Sequence, residues 1–182
     1  MEDTETPAPV DAEEAFARYV LPEVEVLYRV ARSLTRHDAD AEDLVQDTML
    51  RAFRSIERFD GRYPRAWLLT IMRNAQINRV RRRRPGLLND PDSVEVTADP
   101  ADGPEALVVD REFDATVESA YQALPEKFRG VIDLVDLAGL SYQEAADVLE
   151  IPQGTVMSRL HRGRTRIREA LTAAGDPRGV TS

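Results

Sequence analysis

The stretch LSYQEAADVLEIPQGTVMSRLHRGRTRIREAL, residues 140–171, divides into a short capped helix, a break and a longer arginine-rich helix. Ser141 followed three residues later by Glu144 is a capping box, in which hydroxyl and carboxylate satisfy backbone donors that a helix start leaves free. Glu150 to Pro152 interrupt the pattern, because proline can open a helix but cannot continue one. Two helices joined by so short a turn are the layout of a helix-turn-helix.

A helical wheel tests whether the second helix could read DNA. With Ser158 at zero, Val156, Leu160, Gly163, Ile167 and Leu171 fall between roughly 140° and 220°, a stripe suited to burial. Thr155, Ser158, Arg159, Arg162, Thr165 and Arg166 fall between roughly −20° and 100°. A charged helix face by itself often means only solvation. This one carries no carboxylate to neutralise its arginines, and its guanidinium and hydroxyl groups suit guanine edges and phosphates in a major groove. Arg164 and Arg168 lie to the sides, where phosphate is the expected contact, and His161 is peripheral.

Working outward, Arg111 to Ala123 and Glu126 to Ala138 read as two further helices broken by Pro125, with Gly139 closing the second. Before them, residues 85–104 hold Pro85, Gly86, Pro91, Pro100, Gly103 and Pro104 among acidic side chains, with no helical period. That composition predicts a flexible anionic linker. On its N-terminal side the clearest helix runs from about Asp40 to Phe59, where Ala41, Leu44, Val45, Thr48, Met49, Ala52, Phe53 and Ile56 make one apolar face. Asp43, Gln46, Asp47, Arg51 and Arg54 fall on the outer side. Pro22, followed by Glu23 and Glu25, suits the first turn of an earlier helix. Another helix is expected from Pro64 through Arg82. No strand-like alternation is sustained. The expected fold is all-α: two small helical domains, 12–84 and 108–172, joined by the flexible acidic linker 85–107, with tails at 1–11 and 173–182.

The chain of 182 residues carries 33 acidic and 24 basic side chains, a net charge of −9 that argues against nucleic acid. The distribution reverses that conclusion. Residues 1–50 hold 13 acidic and 4 basic side chains, residues 51–84 hold 2 and 11, residues 85–124 hold 10 and 1, and residues 151–182 hold 2 and 6. All basic residues but Lys127 are arginine, which suits bidentate contacts to phosphate and guanine, although a GC-rich genome would produce the same bias. Within the first basic block, RAWLLTIMRNAQINRVRRRR at 65–84 has no acid. There Asn74 and Asn78 share a helix face with Arg81 and Arg82, next to the aromatic loop Phe59 to Pro64 and to Trp67, whose apolar neighbours suggest a core position. Aromatic, amide and basic groups together are what holding unstacked single-stranded bases requires. The absence of cysteine excludes disulfides and Cys-based zinc sites. With two histidines in the chain, a metal would need mainly carboxylates. No apolar run is long enough to span a membrane, and the acidic start lacks a signal sequence. A soluble cytoplasmic protein with no cofactor, no structural metal and no membrane insertion is expected.

With these motifs in order, the sequence resembles the extracytoplasmic function (ECF) sigma factors, the smallest members of the sigma-70 family, over about residues 12–84 and 108–172. DADAEDLVQDTMLRAF resembles the segment that docks on the clamp of the RNA polymerase largest catalytic subunit, AWLLTIMRNAQIN the helix beside the promoter −10 element, and LSYQEAADVLEIPQGTVMSRLHRGR the −35 reader. The resemblance implies sigma region 2 at 12–84 and sigma region 4 at 108–172. It places Asp43, Leu44, Gln46 and Asp47 at core RNA polymerase. It places Asp60, Gly61, Arg62 and Tyr63, in a loop that captures a flipped base, with Asn74, Asn78, Arg81 and Arg82 at the melted −10 strand. It places Thr155, Ser158, Arg159, Arg162 and Arg166 at −35 promoter DNA. Met157 departs, since many members have a basic residue there. An anti-sigma factor is a further partner implied by the resemblance, as is passage of the linker through the channel for nascent RNA, where Asp90 to Glu105 could mimic nucleic-acid charge.

Two other classes compete. A stand-alone helix-turn-helix repressor would bind a palindromic duplex without polymerase. An enzyme could use the pair Asp43 and Asp47, four residues apart, but no histidine, glycine-rich phosphate loop or nucleophile motif accompanies them. The expectation is a promoter-specificity factor that performs no chemistry.

Overall fold

A computed structural model of the chain describes residues 11–83 and 111–174, and every regular element among them is helical. The expected tails and linker lie outside these residues, except Asp11 and the pair Ala173 and Ala174. The charge-mimicry expectation for Asp90 to Glu105 lies outside them too. The chain divides into two units, Met1–Arg83 and Arg84–Ser182.

In the first unit Asp11 belongs to the fold: its carboxylate accepts the Glu13 N–H at 3.4 Å and caps α1, Ala12–Tyr19. Pro22 does not open the next α-helix as the sequence suggests. It sits in a separate 3-10 turn, Leu21–Glu23, that redirects the chain between α1 and α2, Val24–Thr35. Then come α3, Asp38–Ser55, a 3-10 turn at Ile56–Arg58, and α4, Pro64–Arg83. The acidic Asp38 and Asp40 in the first turn of α3 complement its dipole. Helix α3 packs against both α2 and α4. Leu27, Leu44, Leu68, Leu69 and Met72 are wholly or almost wholly removed from water, each contributing roughly 1.5–3 kcal/mol. The buried Thr48 hydroxyl donates to the Leu44 carbonyl at 2.7 Å, so a polar group enters this core at little cost. Phe53, expected on the buried face, lies at its edge, 45% exposed, with its ring edge-on to Phe16 at 5.5 Å.

The second unit holds α5, Arg111–Gln122, α6, Glu126–Ile132, α7, Tyr142–Leu149, and α8, Gln153–Ala173. The helix expected through Ala138 instead widens into a π-helical turn at Asp133–Leu137, where the Ala138 N–H reaches back five residues to Asp133. This wider turn coincides with a carboxylate drawn into the core: Asp133 is 2% exposed and accepts a hydrogen bond from the Tyr121 hydroxyl. Gly139, in the left-handed region at φ 70°, ends the segment. The capping box is formed, with Ser141 Oγ accepting the Glu144 N–H and the Glu144 carboxylate accepting the Ser141 N–H. Glu150 takes the left-handed cap of α7 at φ 57°, and Pro152 precedes α8. Helix α8 packs against α5, α6 and α7. Gly163 lies where α8 crosses α6, and a Cβ there would stand 2.9 Å from Ile132 Cδ1.

Candidate nucleic-acid and protein interfaces

Helix α8 presents the two faces that its periodicity predicts. Val156, Leu160 and Gly163 are buried, and Ile167 and Leu171 are half-buried. On the other side Ser158 and Arg162 are exposed and Thr155 and Arg159 half-exposed, and neither Arg159 nor Arg162 meets a carboxylate among the described residues. Ser158 Oγ donates to the Thr155 carbonyl at 3.1 Å and keeps its acceptor lone pairs free. Arg166 is exposed but leans over the Phe128 ring at 4.8 Å, so it sits on the seam with α6. Arg164 corrects the sequence reading. It forms a two-pronged ion pair with Asp136 at 2.5 and 3.1 Å and is tied to the unit's own surface. That bond and the carboxylate charge raise its pKa above the ordinary arginine value.

In the first unit the loop between Phe59 and Pro64 stands on an aromatic stack. Phe59 lies face to face with Trp67 at 4.3 Å, and Tyr19 meets Phe59 edge-on at 5.6 Å. Trp67 is therefore half-buried support for the loop. Asp60 accepts the Arg62 N–H at 2.9 Å, closing a turn that passes Gly61 at φ 78°. Tyr63 follows in the left-handed region at φ 50°, 67% exposed, while its carbonyl starts α4 by accepting the Trp67 N–H. Along α4, Asn74, Asn78, Arg81 and Arg82 are all exposed, as their spacing predicts. Arg79 is not available beside them. It turns toward α3, donating to the Asp40 carbonyl at 3.2 Å and lying 3.5 and 3.6 Å from the carboxylates of Asp40 and Asp43.

The acidic face of α3 is real but incomplete as predicted. Asp43 and Gln46 are exposed and Asp47 is half-exposed, bonded to Arg51 at 2.9 Å one turn on. Leu44 is fully buried. The reading that sets Leu44 against a partner is corrected: its side chain points into the α2–α3–α4 core, and only its three polar neighbours face outward. Among the described residues no group of three potential metal ligands is assembled, and no helix is long and apolar enough to cross a membrane.

The family descriptions Sigma-70 region 2 and Sigma-70, region 4 match residues 20–85 and 115–167. The chain belongs to the sigma-70 family. Among relatives, it is 34% identical over 171 residues to the ECF RNA polymerase sigma factor SigW of Bacillus subtilis, covering 87% of this chain and 90% of that one. It is 38% identical over 149 residues to the ECF RNA polymerase sigma factor SigE of Mycolicibacterium smegmatis, covering 80% of this chain, and it spans only 57% of that relative's length. Two solved structures are similar. One is the sigma factor RpoE in complex with the anti-sigma factor NepR from Bartonella quintana, with TM-score 0.70, 31% identity and coverage of 86% and 96% of the two chains. The other is CnrH in complex with the cytosolic domain of CnrY, with TM-score 0.63, 29% identity and coverage of 89% and 95%. This sigma factor is thus of the ECF type, and the stand-alone repressor reading loses its ground. Region 2 takes in α2 to α4 and begins one residue after Tyr19, which leaves α1 outside the match.

Proposed function

We propose that this ECF sigma factor acts in the cytoplasm as the promoter-specificity subunit of RNA polymerase and performs no chemistry of its own. Asp43, Gln46 and Asp47 face core polymerase. The loop Asp60 to Tyr63 and the face of Asn74, Asn78, Arg81 and Arg82 hold the melted −10 strand. Thr155, Ser158, Arg159 and Arg162 read −35 duplex, with Arg166 at the margin of that face. The domains of this reading are region 2 over 12–84 and region 4 over 108–172, with a linker at 85–107 between them. The observation that carries the reading is the pairing, in one chain, of a helix whose outward Arg159 and Arg162 meet no carboxylate among the described residues with an aromatic-backed loop beside exposed amides.

Opening DNA then needs no catalytic group. Unstacking a base costs a few kcal/mol, and contacts available only to the extruded base offset it. The overall charge of −9 keeps the free chain from binding DNA tightly, so polymerase supplies the remaining affinity. An anti-sigma factor is a further partner, in line with the complexes of RpoE with NepR and of CnrH with CnrY. With no cysteine in the chain, any redox signal must be sensed by a partner.

The test is transcription in vitro from a promoter library with core polymerase, using the wild type, Arg162→Ala and Asn78→Ala. The wild type is expected to initiate at specific promoters only with core enzyme. Arg162→Ala should lose about 1–3 kcal/mol of −35 discrimination, the worth of one bidentate base contact. Asn78→Ala should impair duplex promoters more than templates opened beforehand at −10. A wild-type chain that directs no specific initiation, or that binds a palindromic duplex tightly by itself, overturns the reading.

A further inference from the structure

Tyr19 closes α1 and lies outside the matched region 2, yet it touches the loop proposed to hold a −10 base at two points. Its ring meets Phe59 edge-on at 5.6 Å, and Phe59 in turn stacks on Trp67 at 4.3 Å. Its hydroxyl end abuts Gly61: a Cβ built on that glycine would lie 3.2 Å from Tyr19 Oη and 3.5 Å from Cζ. The loop therefore has no room to sink toward α1. At the same place the backbone is held in unusual conformations, with Gly61 at φ 78° and Tyr63 at φ 50°. A non-glycine residue stays in the left-handed region only where its surroundings determine it. The surroundings here are the Asp60 turn and the start of α4, and the Tyr19 ring lies beside Gly61.

We propose that Tyr19 is a positioning residue for base selection: its ring sets the height of the Asp60–Tyr63 loop over the Phe59–Trp67 stack and so fixes which base the loop accepts. This rests on the reading of that loop as the −10 base site. Helix α1 becomes part of promoter recognition without touching DNA. The ring carries the loop, edge-on against Phe59 and with its outer end beside Gly61.

The experiment uses holoenzyme assembled from the full chain and core polymerase, transcribing a promoter library randomised through the −10 element, with transcripts sequenced to give base preference at each position. Tyr19→Ala is expected to flatten the preference at one position by about two- to tenfold, the range that one lost aromatic contact carries. Affinity for core polymerase and preference at −35 should be unchanged. Tyr19→Phe, which keeps the ring, should hold the preference. Tyr19→Leu, which fills much of the space but has no aromatic edge to set against Phe59, should flatten it as Tyr19→Ala does. A merely structural role predicts weaker initiation with an unchanged base profile. That outcome, or a Tyr19→Leu variant with the wild-type base profile, overturns the proposal while leaving the loop assignment intact. Should Tyr19→Ala not fold, Tyr19→Leu decides. A wild-type holoenzyme that is indifferent to every −10 base overturns the loop reading itself, and the proposal with it.

Discussion

In the first unit Arg32, Arg51, Arg65 and Arg79 each lie against a carboxylate of the same unit, whereas on α8 of the second, among the described residues, Arg159 and Arg162 meet none and Arg164 is paired with Asp136. By sequence the first unit has the denser run of positive charge. By structure the second offers the cleaner arginine face. A basic run becomes a DNA-facing surface only where the fold leaves it unpaired, and Asp40, Asp43 and Glu23 withdraw part of the 51–84 block from that role. What remains on α4 is a mixed face of two amides and two arginines, suited to bases as much as to phosphates. In the proposed function the two units divide the work by chemistry: guanidinium for a charged duplex, amide and ring for exposed bases.

The contrast is broken hardest at α3, where a buried and an outward side chain stand two residues apart. Leu44→Ala should destabilise the chain by about 2–5 kcal/mol, as expected of a fully buried leucine, whereas Gln46→Ala should leave stability unchanged and weaken core polymerase binding. Urea denaturation beside a polymerase-binding titration separates the two. If Leu44→Ala proves neutral for stability, the packing of the first unit is wrong.

A smaller effect is expected in the second unit. Gly163→Ala drives a methyl group against Ile132 Cδ1, the far end of a flexible side chain, so a turn of Ile132 off its rotamer should hold the cost to about 1 kcal/mol. Because the backbone of α8 then stays in place, −35 preference should be unchanged. A larger loss of stability, with −35 preference falling alongside it, would show that α8 is displaced from α6 instead.

The finest test concerns charge alone. Arg79→Gln removes partly exposed pairs and should lower stability by less than about 1 kcal/mol. With holoenzyme and a single-stranded −10 oligonucleotide, Arg81→Gln should reduce the salt dependence of binding by about 0.7, one phosphate contact, while Arg79→Gln leaves it unchanged. Equal slopes for the two variants would erase the distinction between paired and outward arginines.

Much of this fold follows from local pattern. The α3 face, the Ser141 capping box and the α8 stripe are legible because each depends on residues three or four apart in one helix. The features that escape sequence depend on partners far along the chain. Arg79 reaches Asp40, Arg164 reaches Asp136 and Arg65 reaches Glu23, and no periodicity announces such pairs. The π-helical turn at Asp133 accompanies a tyrosine hydroxyl from the preceding helix, so the sequence of α6 alone reads as one longer helix. Leu44 was legible as core from its spacing, and only its place within a contact motif drew it outward. Tyr19 carried no signal, since a lone aromatic at a helix end reads as packing until the loop it supports is seen.

The Asp136 clamp on Arg164 and the Phe128 ring under Arg166 bear on entropy. A free arginine side chain holds about 2 kcal/mol of rotamer freedom that a partner must quench. On the flank of α8 this ordering is completed during folding, against α6 and its π-helical extension. If α8 docks in a major groove as proposed, it does so with its flank already immobilised, and docking has fewer degrees of freedom left to freeze. More of the enthalpy gained by Arg159 and Arg162 can then appear as discrimination between sequences.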